Sequence, residues 1–241
     1  MGKRVAKRGQ NCLYHFEFED GLYHSLKLGV IAPSKKMISI PSQLLIATNN
    51  KGKFLEIESL LKQVNIAAIP TFQLNISEPD ETGKTFVENS LLKAKYYGSK
   101  TGLVALADDS GLCVEALNGE PGIHSARFAK NAAGKTDFSF AFEKISCALQ
   151  KIAIDETQNP SAHFICNLAI FDPKTNFEIS FEGRVDGHLT FPARGTKGFG
   201  YDPIFIKNGM DQTFGEISPE FKDKISHRAN AFAKLVNWLK R

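Results

Sequence analysis

Cysteine is scarce in this chain of 241 residues, and none of it is paired by spacing. Cys12, Cys113, Cys147 and Cys166 contain no CxxC pair and lie inside apolar segments. Neither a disulfide framework nor a zinc site is therefore expected; buried free thiols in a reducing, cytoplasmic compartment are. Long hydrophobic runs are also missing, since none approaches the roughly 18–20 residues of a membrane-spanning helix. The basic start, Lys3, Arg4, Lys7 and Arg8, leads into the polar and acidic stretch Asn11 to Asp20 rather than the apolar core of a secretory signal. Charge of one sign is lacking too. Thirty Lys and Arg against 26 Asp and Glu leave +4, a thin footprint that argues against nucleic acid as the partner. What remains, 42% hydrophobic and 23% charged residues, is the composition of a packed globular protein.

Residues 1–43 differ from the rest and are read as an N-terminal extension. Aromatic and polar residues alternate from Tyr14 to Tyr23 around Asp20-Gly21, the pattern of a β-hairpin; partial disorder is the other reading, and Met37 offers an alternative start. From Leu44 to the end, strands and helices alternate, which predicts an α/β domain over residues 44–241. Leu44 to Ala47 reads as a buried strand. A helix follows from Lys51 to Val64, with Phe54, Ile57, Leu61 and Val64 at the helical period. Ile66 to Phe72 reads as a second strand. Thr85-Phe86-Val87-Glu88 forms a capping box opening a helix that Gly102 ends, and Leu103 to Ala107 is another buried strand. Asp137 to Ile152 is helical, Ala162 to Phe171 and Phe177 to Val185 form an antiparallel pair, and Arg228 to Leu239 closes the chain as a helix.

Several segments carry chemistry, each with an ordinary alternative. Thr48-Asn49-Asn50-Lys51-Gly52-Lys53 joins a buried strand to a helix N-terminus, where amides, helix dipole and Lys53 all suit an anion; it also suits a solvated polar turn. Ala129 to Thr136 would be a phosphate loop only with Gly in place of Ala129, so it is read as a helix approach with Thr136 near the cap. Asp108-Asp109-Ser110 follows the strand ending at Ala107, and ligands of α/β sheets bind at strand ends. Paired carboxylates without His or Cys suit a hard cation, and Glu81 supplies another acid; a solvated turn is the alternative. Phe199 between Gly198 and Gly200 is either a ring that stacks on a nucleobase or a core aromatic in a tight turn. Lys222, Ser226, His227 and Arg228 stand before the terminal helix, as anion donors or as a cap with solvated basic residues.

Taken in order, six stretches resemble one family: Thr48 to Lys53, Glu81 to Asn89, Ala107 to Leu112, Pro121 to Arg127, Gly198 to Pro203, and Ser226-His227-Arg228. It is the inosine/xanthosine triphosphate pyrophosphatase family, which removes deaminated purine nucleotides. The resemblance covers Leu44 to the C-terminus and departs at Asn49, where Gly is usual, and at Ala229-Asn230, where Gly-Lys is common. It implies an elongated, two-lobed α/β fold with a central mixed sheet flanked by helices, a cleft between lobes, Mg²⁺ dependence and a homodimer.

The resemblance also implies the reaction: ITP, dITP or XTP plus water gives the monophosphate and pyrophosphate. It makes Asp109 the proton acceptor and a metal ligand, and Glu81 the second ligand. Thr48, Asn49, Asn50, Lys51, Gly52, Lys53 and Lys222 would hold the triphosphate, and Ser110 would touch the nucleotide. Phe199, Gly200, Tyr201 and Asp202 would form the base loop, with His227 and Arg228 donating to the base. Neighbouring residues of extended chain point opposite ways, so only one of Asp108 and Asp109 is expected to face the metal. Two alternatives stand beside this: a related pyrophosphatase for modified pyrimidine nucleotides, against which Phe199 and Ser226 to Arg228 argue, and a nucleic-acid-binding protein using the first 36 residues.

Overall fold

The computed structural model describes residues 40–154 and 159–240. The proposed Tyr14–Tyr23 hairpin, the basic tip and Cys12 lie outside the described residues. The elements are β1 (Gln43–Ala47), α1 (Lys51–Lys62), β2 (Ala67–Pro70), α2 (Phe86–Thr101), β3 (Ala105–Val114), α3 (Ser125–Phe128), α4 (Phe138–Lys151), β4 (Ser161–Asp172), β5 (Phe177–Leu189), β6 (Phe205–Lys207), α5 (Pro219–Ile225) and α6 (His227–Leu239). One six-stranded sheet runs β2-β1-β3-β4-β5-β6. β1 is parallel to both its neighbours and every other pair is antiparallel, so the α/β mixed sheet flanked by helices is present.

The helices start where the sequence signals lie. Asn50, Thr85, Asp137 and Ser226 cap α1, α2, α4 and α6, each accepting from an amide three residues on. Gly102, at φ +71°, ends α2 in the left-handed region that glycine adopts without strain. Four local expectations are corrected. β2 stops at Pro70, whose missing N–H ends the ladder, and a 3-10 turn covers Thr71–Gln73. In the capping box, Glu88 reaches back to the Lys84 amide at 2.6 Å rather than to Thr85. Asp137, not Thr136, caps α4, because its carboxylate accepts from the Phe140 amide. Cys147 is exposed on α4, whereas Cys113 and Cys166 are buried as expected.

The sheet is covered on both faces near β1. α1 and α6 pack on one face through Phe54, Ile57, Leu61, Phe232 and Leu235 against Ile46, Leu106, Cys166 and Leu168. α2 packs on the other through Ala94 and Tyr97 against Leu45, Ala105, Ala107 and Ala169. The long strands β3, β4 and β5 continue past β1 into a further core with α4, built on Leu112, Ile145, Phe164 and Phe205. The junction of these cores, where β1 ends and β3 runs on, positions the site.

Candidate active site

The carboxyl end of β1 is fixed first. Thr71 donates its hydroxyl to the backbone carbonyls of Ile46 and Thr48, at 3.1 and 2.9 Å. Asn50 then caps α1, its Oδ1 accepting from the Lys53 amide at 3.0 Å. One turn into α1, the Lys53 ammonium lies 2.7 Å from Asp108. Gly52 is required by packing: a Cβ there would lie 2.6 Å from the Phe199 ring, so the aromatic loop rests on the start of α1. Asn49 keeps a negative φ, and the turn therefore tolerates Asn where Gly is usual.

The acid pair does not stand at a strand end. Asp108 and Asp109 lie inside β3, because β4 pairs with that strand along its whole length and carries it beyond the last β1 contact at Ala107. The expectation for strand ends holds for β1 instead, since the pair begins one residue past its final partner. Alternation then sends the two carboxylates to opposite faces. Asp109 faces α2, where Lys93 bridges it and Glu81 at 2.7 and 2.8 Å. Asn89, fully buried on the same helix, accepts from the Gly83 amide at 2.8 Å and anchors the loop that carries Glu81. Burial pushes the Asp109 carboxyl above the ordinary aspartate value, although Lys93 and Lys53 pull the other way.

Asp108 faces α1 and α6. Its Oδ1 accepts from Lys53 and, at 3.0 Å, from Ser110; its Oδ2 accepts from Arg228 Nε at 2.9 Å and from the Cys166 thiol at 3.0 Å. Burial alone would raise this carboxyl, but Arg228 and Lys53 outweigh it and hold it well below the usual range. From Arg228 the charges continue in alternation: Arg228 pairs with Glu56 of α1, Glu56 with Lys222 at 2.8 Å, and Lys222 with Asp202 at 2.5 Å. Asp202 ends the series by accepting from the Phe199 amide at 2.7 Å. The Lys222 ammonium also sits 4.7 Å from the Phe199 ring centre, so this aromatic is held by cation–π contact on one side.

His227 has no such partner. It is stacked on Phe164 at 4.7 Å, it is buried, and its Nδ1 makes no hydrogen bond. Burial, with Arg228 and Lys222 nearby, pushes the imidazole well below its ordinary value, so it is neutral at pH 7. A buried polar atom left open costs free energy unless a ligand or water meets it. His227 lines a cleft with Asn50, Lys53, Ser110, Phe199, Gly200, Tyr201, Asp202, Lys222 and Arg228. Its cavity of about 70 Å³ is smaller than the roughly 300–1,000 Å³ typical of ligand pockets.

A model of the Ham1 family matches residues 44–238. The chain belongs to the Ham1 family. Its relatives include the dITP/XTP pyrophosphatases of Caulobacter vibrioides, 50% identical over 80% of this chain and 96% of that one, and of Zymomonas mobilis, 44% identical over 81% and 91%. Among solved structures, a HAM1 protein from Coxiella burnetii is 36% identical with a TM-score of 0.71, covering 82% of this chain and 98% of that one. The Ham1 protein of Staphylococcus aureus matches with a TM-score of 0.68 at the same identity and coverage.

Against this Ham1 fold the site residues named from sequence divide into groups. The cleft gathers Asn50, Lys53, Ser110, Phe199 to Asp202, Lys222, His227 and Arg228. Glu81 and Asp109 stand together on the α2 face of the sheet. Thr48 is buried at the end of β1, and Asn49 and Lys51 are exposed outside the cleft lining. Sequence reasoning passed over Lys93, Glu56 and Cys166. Lys93 had a signal, since it lies four residues after Asn89 on one face of a predicted helix. Glu56 likewise follows Lys53 by three. Cys166 had none, because one cysteine in an apolar strand reads as core.

Proposed function

We propose that this chain hydrolyses the non-standard purine nucleotides ITP, dITP and XTP to the monophosphate and pyrophosphate, by attack of water on the α-phosphorus. The observation that carries this reading is the division of the acid pair: Asp109 shares a cation with Glu81 on one face, and Asp108 organises Lys53 and Arg228 on the other. The names of the relatives support the substrate class. The reading extends to a cytoplasmic homodimer, with residues 44–241 as the catalytic domain.

Glu81 and Asp109 already hold a cation, the Lys93 ammonium, between their oxygens. An all-oxygen pair of this kind fits Mg²⁺, which binds through one or two carboxylates with water and substrate phosphates completing its shell. Bound there, Mg²⁺ would offset charge on the phosphate chain and polarise water. Asp109, with its carboxyl raised by burial, accepts the proton as water attacks. Lys93 keeps Asp109 oriented and ionised. Lys53, with the amides at the start of α1, binds phosphate oxygens as pyrophosphate leaves, and Lys222, Asn49, Asn50 and Lys51 flank them.

Base selection follows from unpaired groups. Hypoxanthine and xanthine carry a carbonyl at position 6 where adenine carries an amino donor. A neutral His227 protonated on Nδ1 donates to that carbonyl, and Arg228 retains donor capacity beyond its bonds to Asp108, Glu56 and Ser110. Adenine would oppose a donor to a donor and leave both unpaired, a penalty that selective sites exploit. Phe199 stacks on the purine. Hydrolysis of ITP in ¹⁸O-labelled water tests the point of attack: the label is expected in IMP, and label in pyrophosphate, or release of IDP, would contradict the reading.

A further inference from the structure

A row of small side chains crosses the sheet beneath α6. Ser110 of β3, Cys166 of β4 and Gly183 of β5 are neighbours in register. At Gly183 a Cβ would lie 2.1 Å from the His227 carbonyl oxygen and 2.3 Å from the Ala231 amide nitrogen, so the first turn of α6 rests directly on the strand. That seating brings Arg228 down onto Asp108 and leaves Cys166 directly below the pair. The thiol lies 3.0 Å from the same Asp108 oxygen that accepts from Arg228, and Cys166 is fully buried.

The four donors to Asp108 differ in what a substrate does to them. Lys53, Ser110 and Arg228 line the cleft, where phosphate or base competes for their hydrogens. Cys166 does not line it and approaches from the core shared with Leu106 and Leu168. It is thus the one donor to Asp108, among those described, that a nucleotide cannot draw away. Burial and the neighbouring carboxylate keep the thiol protonated, which makes it a donor and not a nucleophile.

We propose that Cys166 is a positioning residue for nucleotide binding: its thiol fixes Asp108, and Asp108 in turn aims Lys53 at the phosphates and Arg228 at the base. This rests on the pyrophosphatase reading above. The adjacent His227 lines the same cleft as Arg228 and Lys53.

The test is steady-state pyrophosphate release by the full chain from ITP and from ATP, for wild type, Cys166→Ala and Cys166→Ser. Alanine is expected to raise KM for ITP about tenfold, the scale of one hydrogen bond to a charged group, with kcat changed less than about twofold. It should also narrow the preference for ITP over ATP. Serine, which keeps a donor at the same point, should recover most of the loss. An alanine variant with wild-type KM and preference overturns the proposal, and so does a loss that serine fails to recover, since that is packing alone. Wild-type protein that releases pyrophosphate from neither nucleotide overturns the functional reading beneath it. The S–H stretching band of wild type, assigned by its absence in Cys166→Ser, gives a reading independent of how the alanine variant folds. A hydrogen-bonded band that persists with bound inorganic pyrophosphate supports the role; a band at the free-thiol position overturns it.

Discussion

Asp109 and Lys93 form the ion pair on which the proposed chemistry turns at the scale of single residues. Replacing Asp109 with Asn removes the proposed proton acceptor and one of the two carboxylates that face Lys93 while preserving shape, and kcat should fall by about 10²- to 10⁴-fold. Titration carries more information. In the metal-free protein burial raises the Asp109 carboxyl, so its NMR titration should lie above the ordinary aspartate value. Lys93 opposes that shift, so Lys93→Gln should move the titration to still higher pH, and it should also lower kcat. A titration that stays in place in the Lys93 variant would show that Lys93 does not act on the Asp109 carboxyl. Both acids were evident from the sequence. Lys93 was not, because a lysine in a predicted helix is read as solvated unless its neighbours Asn89 and Ala94 are already known to be buried.

At the scale of elements, α6 and the loop around Phe199 are set in place by glycines. The terminal helix was legible from its period and from Ser226, but its depth on the sheet depends on Gly183, which sequence offers only as one small residue in a strand. Gly183→Ala forces a backbone collision rather than a side-chain adjustment. The expected cost is about 1–3 kcal/mol in chemical denaturation, and the variant should lose ITP turnover further as His227 and Arg228 lift with the helix. Unchanged stability and activity would mean that α6 is not seated as described. β3 is where local reading failed. Asp108-Asp109-Ser110-Gly111 has the composition of a turn, and residue preference ends the strand at Ala107. Ten residues of antiparallel register with β4 override that preference, and four hydrogen bonds to Asp108 make its burial tolerable.

Across the whole molecule, the order of motifs along the chain was enough to indicate a mixed α/β sheet and a nucleotide site, and both agree with membership of the Ham1 family. Contacts between elements were not legible in that order. The alternating series from Lys53 through Asp108, Arg228, Glu56 and Lys222 to Asp202 draws on α1, β3, α6, α5 and the Phe199 loop, and no sequence spacing announces it. It explains how Lys53 and the buried Arg228 and Lys222 coexist: each is matched by a carboxylate, so the series is close to neutral. None of the described helices is long and apolar enough to cross a membrane.

The central claim, a pyrophosphatase for non-standard purine nucleotides, is tested most directly by measuring pyrophosphate release with Mg²⁺ from ITP, XTP, ATP, GTP and dUTP, with Asp109→Asn alongside. Strong turnover of ITP and XTP, little from the other three, and loss in the variant are the predicted result. Equal turnover of all five would contradict the base selection assigned to His227, Arg228 and Phe199, and absence of pyrophosphate from every nucleotide would contradict the activity itself.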